Sequence, residues 1–359
     1  MTTISLADCI QALDANGLRY AMLPVSDSAQ MLIVERGGRL FGPFRQTSDP
    51  GLFWSSPALA SPAALETFIH SGHWNLGGER LWISPEIQYL VADRTDFWGT
   101  VAVPPAMDPG TWTLDVFEPG RVRLNQELTL AAYNLASGHK ALTVERVLRA
   151  APDPLASSRH YAQLLSDVAY SGYAQVVTVS DATTDAITSQ VWNLVQLRAG
   201  GQILVPCTPK LEITDYNEPI DDAHCAQNEH WTSFRITGVR RYKVGLRAAQ
   251  TFGRMGYFHP GDGTRAYLIV RNFFNNPSSL YSEEPAHLPG SHGDSIHIYN
   301  DGGMFGGFGE LEIQGQTIGG ATHRTSVTDQ QLLWIYEGPP ARLAEIAAHL
   351  LGISPDSLA

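Results

Sequence analysis

Apolar and polar positions alternate at period two along most of the chain. Ala21-Met22-Leu23-Pro24-Val25, Met31-Leu32-Ile33-Val34-Glu35 and Arg39-Leu40-Phe41 predict successive strands near the N-terminus. The pattern returns at Trp112-Thr113-Leu114-Asp115-Val116, Arg121-Val122-Arg123-Leu124, Leu128 to Tyr133, Leu142 to Leu148, Tyr173 to Val179 and Ala266 to Arg271. Turn residues separate these runs, and there is no alternating strand–helix rhythm. Many short strands between turn signals predict a sandwich or barrel. Three segments depart from this pattern. Over 5–15, Leu6, Ile10 and Leu13 share a helical face, with Ser5 placed to cap and Gly17 to stop. Over 340–351, Leu343, Ile346, Ala347, Leu350 and Leu351 fall at helical spacing before Gly352. Ser61 and Pro62 suit the start of a third helix over 62–70. The helices are expected to decorate the ends of one β-sandwich domain spanning 1–359. The polar stretch 214–232 is expected to be a surface excursion near the site.

Composition narrows the partners. The 359 residues include 33 Gly and 22 Pro, only 17% are charged, and the net charge is −12. This suits many turns and short strands rather than long solvated helices. An acidic chain whose one dense basic run is Arg240-Arg241-Tyr242-Lys243 is not expected to bind nucleic acid or an anionic membrane. No run approaches the roughly 18 apolar residues of a spanning helix. The start Met1-Thr2-Thr3-Ile4-Ser5 has no basic-then-apolar leader. With Cys9, Cys207 and Cys225 scattered and odd in number, a cytoplasmic chain with reduced thiols and no disulfide is expected. The oligomeric state is open.

Four segments carry candidate chemistry. In Gly77-Gly78-Glu79-Arg80-Leu81-Trp82-Ile83-Ser84-Pro85-Glu86, the glycines permit a tight turn or close approach to a ligand. Strand parity puts Arg80 and Trp82 on one face. A guanidinium and an indole suit a sugar, one donating to hydroxyls and the other stacking on the ring. An ordinary strand with an exposed Arg and a half-buried Trp reads the same way. In Phe308-Gly309-Glu310-Leu311-Glu312-Ile313-Gln314, Glu310 and Glu312 share a face, roughly 7 Å apart along the strand. Repulsion can keep one such carboxyl neutral while the other ionises, as acid–base work on a sugar requires. A solvated acidic edge strand is the bland alternative. The histidines His230, His259, His292 and His297 show no metal-ligand spacing, so no metal centre or cofactor is expected. Parity in Arg240-Arg241-Tyr242-Lys243-Val244 puts Arg241 and Lys243 on one face, where one could meet the carboxylates or both could lie in solvent.

Together these segments resemble the galactose-mutarotase-like (aldose 1-epimerase-like) superfamily, in a bacterial branch with GGxRLWxxPE and ELE segments. Val191-Trp192-Asn193-Leu194-Val195-Gln196 with Leu204-Val205-Pro206, Tyr242-Lys243-Val244-Gly245 and Ile298-Tyr299-Asn300-Asp301 follow the same order, and the likeness covers about 18–350. The resemblance implies a large antiparallel β-supersandwich with a few peripheral helices and a sugar-sized face. It implies that Glu312, in Leu311-Glu312-Ile313-Gln314, is the general base and Glu310 its neighbour. His230, His297 or Lys243 would supply the acid, and Arg80, Trp82, Glu86, Trp192 and Gln196 would hold the sugar. The family's histidine pair has no matching spacing here. Three functions follow as expectations: a mutarotase-like or lyase-like enzyme, a non-catalytic carbohydrate-binding protein, or an interaction protein with a vestigial cleft.

Overall fold

Side-chain alternation builds two antiparallel sheets that share a core. The structure is a computed structural model that describes residues 4–182, 185–354 and 358. A nine-stranded sheet runs, in spatial order, Tyr20–Ser26, Ala29–Val34, Arg39–Phe44, Glu79–Ser84, Gln190–Arg198, Phe308–Gln314, Asp294–Asp301, Arg241–Arg247 and Ile213–Asp215. A ten-stranded sheet runs Cys225–Gln227, Trp231–Ile236, Gly201–Pro206, Arg254–His259, Ala266–Phe273, Ser326–Gly338, Ala169–Ser180, Gly138–Ala150, Arg121–Ala132 and Thr113–Glu118. This is the sandwich of the two folds the alternation left open, and the large antiparallel one the resemblance implied. The runs 121–124 and 128–133 are one strand, Arg121–Ala132, because alternation continues through buried Gln126, whose Oε1 accepts the Thr111 N–H at 3.0 Å.

The ten-stranded sheet is apolar on both sides. Ile203, Val205, Ile269, Leu333 and Ile335 join the core between the sheets. Their neighbours Leu204, Leu268, Val270, Trp334 and Tyr336 point outward, under the helix Pro340–Leu351. That helix therefore covers a sheet face rather than an end. At the other side of the molecule, Leu6–Ala15 and Pro62–His70 pack on Leu32, Val34, Phe41 and Phe44. Ser5 caps the first of these with a reciprocal bond from Asp8, and Ser61 caps the second, as the sequence signalled. Cys9, Cys207 and Cys225 are free.

Two adjacent glycines lock the strand that carries Arg80 into place. Gly77 and Gly78 have φ of 95° and 73°. A Cβ on either would run into a backbone carbonyl, of Trp54 and Leu40 respectively. They serve close approach between chain segments, not approach to a ligand.

Candidate functional site

Register decides which side chains meet. Trp82 pairs across the sheet with Trp192, and Arg80 with Leu194. Glu310 pairs with Gln196 and Tyr299, Glu312 with Leu194 and His297, and Lys243 with Tyr299. Side chains directly opposite one another share a face. Arg80, Trp82, Trp192, Gln196, Glu310, Glu312, Tyr299, His297 and Lys243 therefore all project from one face of five adjacent strands. Leu81, Asn193, Leu311 and Ile298 take the opposite parity, toward the other sheet.

On the first of these faces lies a cavity lined by Arg80, Trp82, Glu86, Trp192, Lys243, Glu310 and Glu312. Its rim adds Trp74, Phe97, Trp98, Tyr299, Phe305 and Phe308. The charged groups are buried, none of Arg80, Lys243, Glu310 or Glu312 being more than 4% exposed. The strand carrying the two glutamates lies in the middle of the sheet, which overturns the alternative of a solvated edge. Buried charges persist only when partnered, and each of these is. Arg80 pairs with Glu310 Oε1 at 2.8 Å, and Gln196 Nε2 donates to the same oxygen at 2.9 Å. The Arg80 guanidinium also sits 4.2 Å from the centroid of the Trp82 ring. Lys243 Nζ pairs with Glu86 Oε2 at 2.6 Å and lies 4.4 Å from the Trp192 ring. Trp192 Nε1–H donates to Glu312 Oε2 at 2.8 Å.

Glu312 is far from an ordinary carboxyl. Burial lifts its carboxyl to about 8; Lys243 pulls it back down, Glu310 and Glu86 push it up, and the Trp192 indole holds it down. Glu283, close behind, is likewise lifted to about 8 by burial. Its Oε2 accepts the Glu86 N–H at 2.6 Å and so fixes the short helix Glu86–Tyr89 that presents Glu86 to Lys243. Burial disfavours the charge on Lys243, but Glu86, Glu312 and Glu283 outweigh burial and hold the ammonium above its ordinary value. Lys243 is therefore a fixed cation and a poor proton donor, which corrects its expected role as general acid.

The histidines also depart from expectation. His230 is exposed, in the turn between Cys225–Gln227 and Trp231–Ile236 at an edge of the ten-stranded sheet. It has no part in the cavity on the nine-stranded sheet. His297 has the right parity and sits beside Glu312, but Tyr216 packs edge-on against it at 4.8 Å. Burial, and then Lys243, push its imidazolium form well out of reach, so the ring is neutral. Gln314 Nε2 approaches Nδ1 at 3.4 Å. Gly245 makes this cover possible, since a side chain there would displace Tyr216 and Asp294. Tyr216 and Asn217 belong to the stretch 214–232, and Asn217 reaches the cavity.

Other contributors carried no signal by themselves. Asp301 accepts the N–H groups of Phe305, at 2.9 and 3.0 Å, and of Gly307, at 2.9 Å; this shapes the glycine-rich turn and brings Phe305 to the rim. Beneath the floor, Arg271 of the opposite sheet donates to the carbonyls of Asn193 and Leu311 at 3.0 Å each, and pairs with Glu79 at 3.1 Å. Asn193 follows Trp192 and Leu311 precedes Glu312, so the guanidinium braces the backbone behind both. Phe308 could have been found by parity with Glu310; Tyr299 needs the register with Lys243 across two strands, and Arg271, Glu283 and Trp74 come from distant segments. No group of metal-ligating side chains is present among the described residues, and no helix is long and apolar enough to cross a membrane.

Comparison with known proteins adds the family. Among solved structures, the chain is similar to a protein from Escherichia coli K12 provisionally named an aldose 1-epimerase. Identity is 12%, the match covers 89% of this chain and 99% of that one, and the TM-score is 0.49. A Klebsiella pneumoniae protein with the same provisional name matches at 10% identity over 94% and 84% of the two chains, TM-score 0.48. A galactose mutarotase-like protein from Lactobacillus casei matches at 10% identity over 89% and 100%, TM-score 0.44. A sequence search of curated proteins finds no match. The profile of a family of unknown function, DUF6786, matches residues 63–359, a span that includes every residue lining the cavity, and the chain belongs to that family.

Proposed function

We propose that the cavity binds a sugar and that Glu312 performs acid–base chemistry on it, in the manner of an aldose 1-epimerase. The observation that carries this is a buried carboxyl lifted to about 8, set between a fixed ammonium and an aromatic wall. Trp82, Trp192 and Trp74 offer faces for the C–H side of a pyranose, and Arg80, Lys243, Glu310 and Glu86 offer polar atoms for hydroxyls. An ionised Glu312 is a strong base, because burial disfavours its charge. It would take the proton of the anomeric hydroxyl, and the ring C–O bond would break as that oxygen's electrons form the carbonyl. Lys243 would stabilise the negative charge gathering on the ring oxygen, which water protonates. A base matched to neutral pH contributes about 10²–10⁴ in rate.

One observation favours a binding protein without turnover: among the described residues lining the cavity there is no histidine to serve as acid. Two variants separate the readings. Glu312→Gln keeps the shape and an acceptor for Trp192 but cannot act as a base. Arg80→Ala removes donors used in ground and transition states alike. With monosaccharides and uronic acids as probes, binding by calorimetry and anomer exchange by NMR should cross. Glu312→Gln should lose exchange and keep affinity; Arg80→Ala should lose affinity first. Binding abolished by both variants, with no exchange in the wild type, establishes the binding protein instead.

A further inference from the structure

The cavity opens onto a larger groove that a single sugar ring would leave empty. Phe97, Trp98 and Asn217 border both, and the groove continues past Arg94, Asp96, Glu218, Arg241 and His287. Its volume is about 710 Å³, against about 110 Å³ for the cavity.

Two features indicate an occupant. Trp98 is 52% exposed, unusual for so large an apolar side chain. It is nevertheless held in place: Phe97 meets it edge-on at 4.8 Å, and the Arg241 guanidinium lies 3.8 Å from its ring. Arg241 in turn faces Glu218 at 3.8 Å. The indole is thus a prepositioned aromatic surface at the mouth of the cavity. Beyond it the lining mixes two guanidiniums with two carboxylates, an imidazole and a carboxamide. Arg94 is already tied to Glu284 at 2.8 Å and to the carbonyls of Pro285 and Ala286 at 3.1 Å each. Balanced charge gives a polyanion no field to follow, and an apolar helix face would strip water from the charged side chains set among the aromatic ones. A chain of hydroxyl-bearing rings suits both the exposed indole and the mixed donors and acceptors.

We propose that the groove binds the further units of a neutral oligosaccharide whose terminal ring occupies the cavity, with the next ring against Trp98. The proposal rests on the sugar reading of the cavity and narrows it from monosaccharides to oligosaccharides.

Calorimetric titration of the full chain with glucose, maltose, maltotriose, cellobiose, cellotriose, galactose and lactose tests it. At least one di- or trisaccharide should bind about ten-fold more tightly than its terminal monosaccharide, the scale of one added aromatic stack. Trp98→Ala should lower that ratio about ten-fold, and Trp98→Phe should keep most of it. Because Trp98 is largely exposed, both variants should fold, and their far-UV circular dichroism should match the wild type. Monosaccharide binding with a ratio near one, or a ratio that Trp98→Ala leaves intact, overturns the groove and leaves the cavity reading standing. Absence of binding by every probe, with glucuronate and galacturonate titrated alongside, overturns both.

Discussion

Glu312→Gln should stabilise the folded protein, and the gain should grow with pH. The carboxyl of Glu312 rises from an ordinary 4.5 to about 8, with burial as the leading cause. Between about pH 4.5 and about pH 8 the folded chain therefore keeps a proton that the unfolded chain has released. Stability falls as pH rises through that window and is level above it. The span is about 3.5 pH units, and at about 1.36 kcal/mol per unit it amounts to about 5 kcal/mol. Water entering the cavity lowers this, so a gain of about 2–5 kcal/mol is expected above pH 8. Glutamine does not titrate, it leaves Trp192 an acceptor, and Lys243 retains Glu86. The assay is urea unfolding of both proteins at pH 5, 7 and 9, comparing midpoints at constant m-value. The two should be nearly equal at pH 5, with the variant clearly more stable at pH 9. A gain at pH 9 no larger than at pH 5 would refute the reasoning, and so would a loss. A residue whose removal stabilises the fold is kept for binding or chemistry rather than for the fold.

Three other outcomes follow from the same structure. Arg271→Met removes the donor that two carbonyls share and one of the two guanidiniums beside buried Glu79, which keeps Arg146, Gln175 and Tyr173, so it should cost about 3–5 kcal/mol in urea unfolding at pH 7; a loss below about 1 kcal/mol contradicts the bracing role. His297→Gln should leave the shape of any pH–rate profile unchanged, because the ring is neutral and covered by Tyr216; loss of one limb of the profile would return His297 to the chemistry. Thiol titration of the denatured, unreduced protein should find three free thiols, and finding one would contradict the free cysteines.

Parity made much of the fold and the cavity legible. Period-two alternation fixes which side chains share a face, so Arg80 with Trp82 and Glu310 with Glu312 could be paired before any strand order was known. What parity cannot give is register between strands. Lys243 meets Glu86 only because four strand pairings set Arg241–Arg247 in the same sheet as Glu79–Ser84 with three strands between them. His297 shows the same limit from the other side. Its parity is right, yet Gly245 lets Tyr216 cover it, and nothing near His297 in the chain records that. His230, next to Trp231 in the chain, lies on the other sheet, where adjacency in sequence has no bearing on the cavity. The aromatic rim was hidden for another reason: Phe97 and Trp98 belong to the four-residue helix Phe97–Thr100, too short to show periodicity.

The central claim, that Glu312 is a working base in a sugar site, is tested most directly by NMR exchange between the anomers of a bound monosaccharide from pH 6 to 9. The account predicts a wild-type rate above that of buffer, rising with pH through half its plateau near 8 and levelling above it as Glu312 ionises, while Glu312→Gln stays at the buffer rate throughout. A wild-type rate equal to buffer for every sugar that binds, or a variant as fast as the wild type, would contradict it.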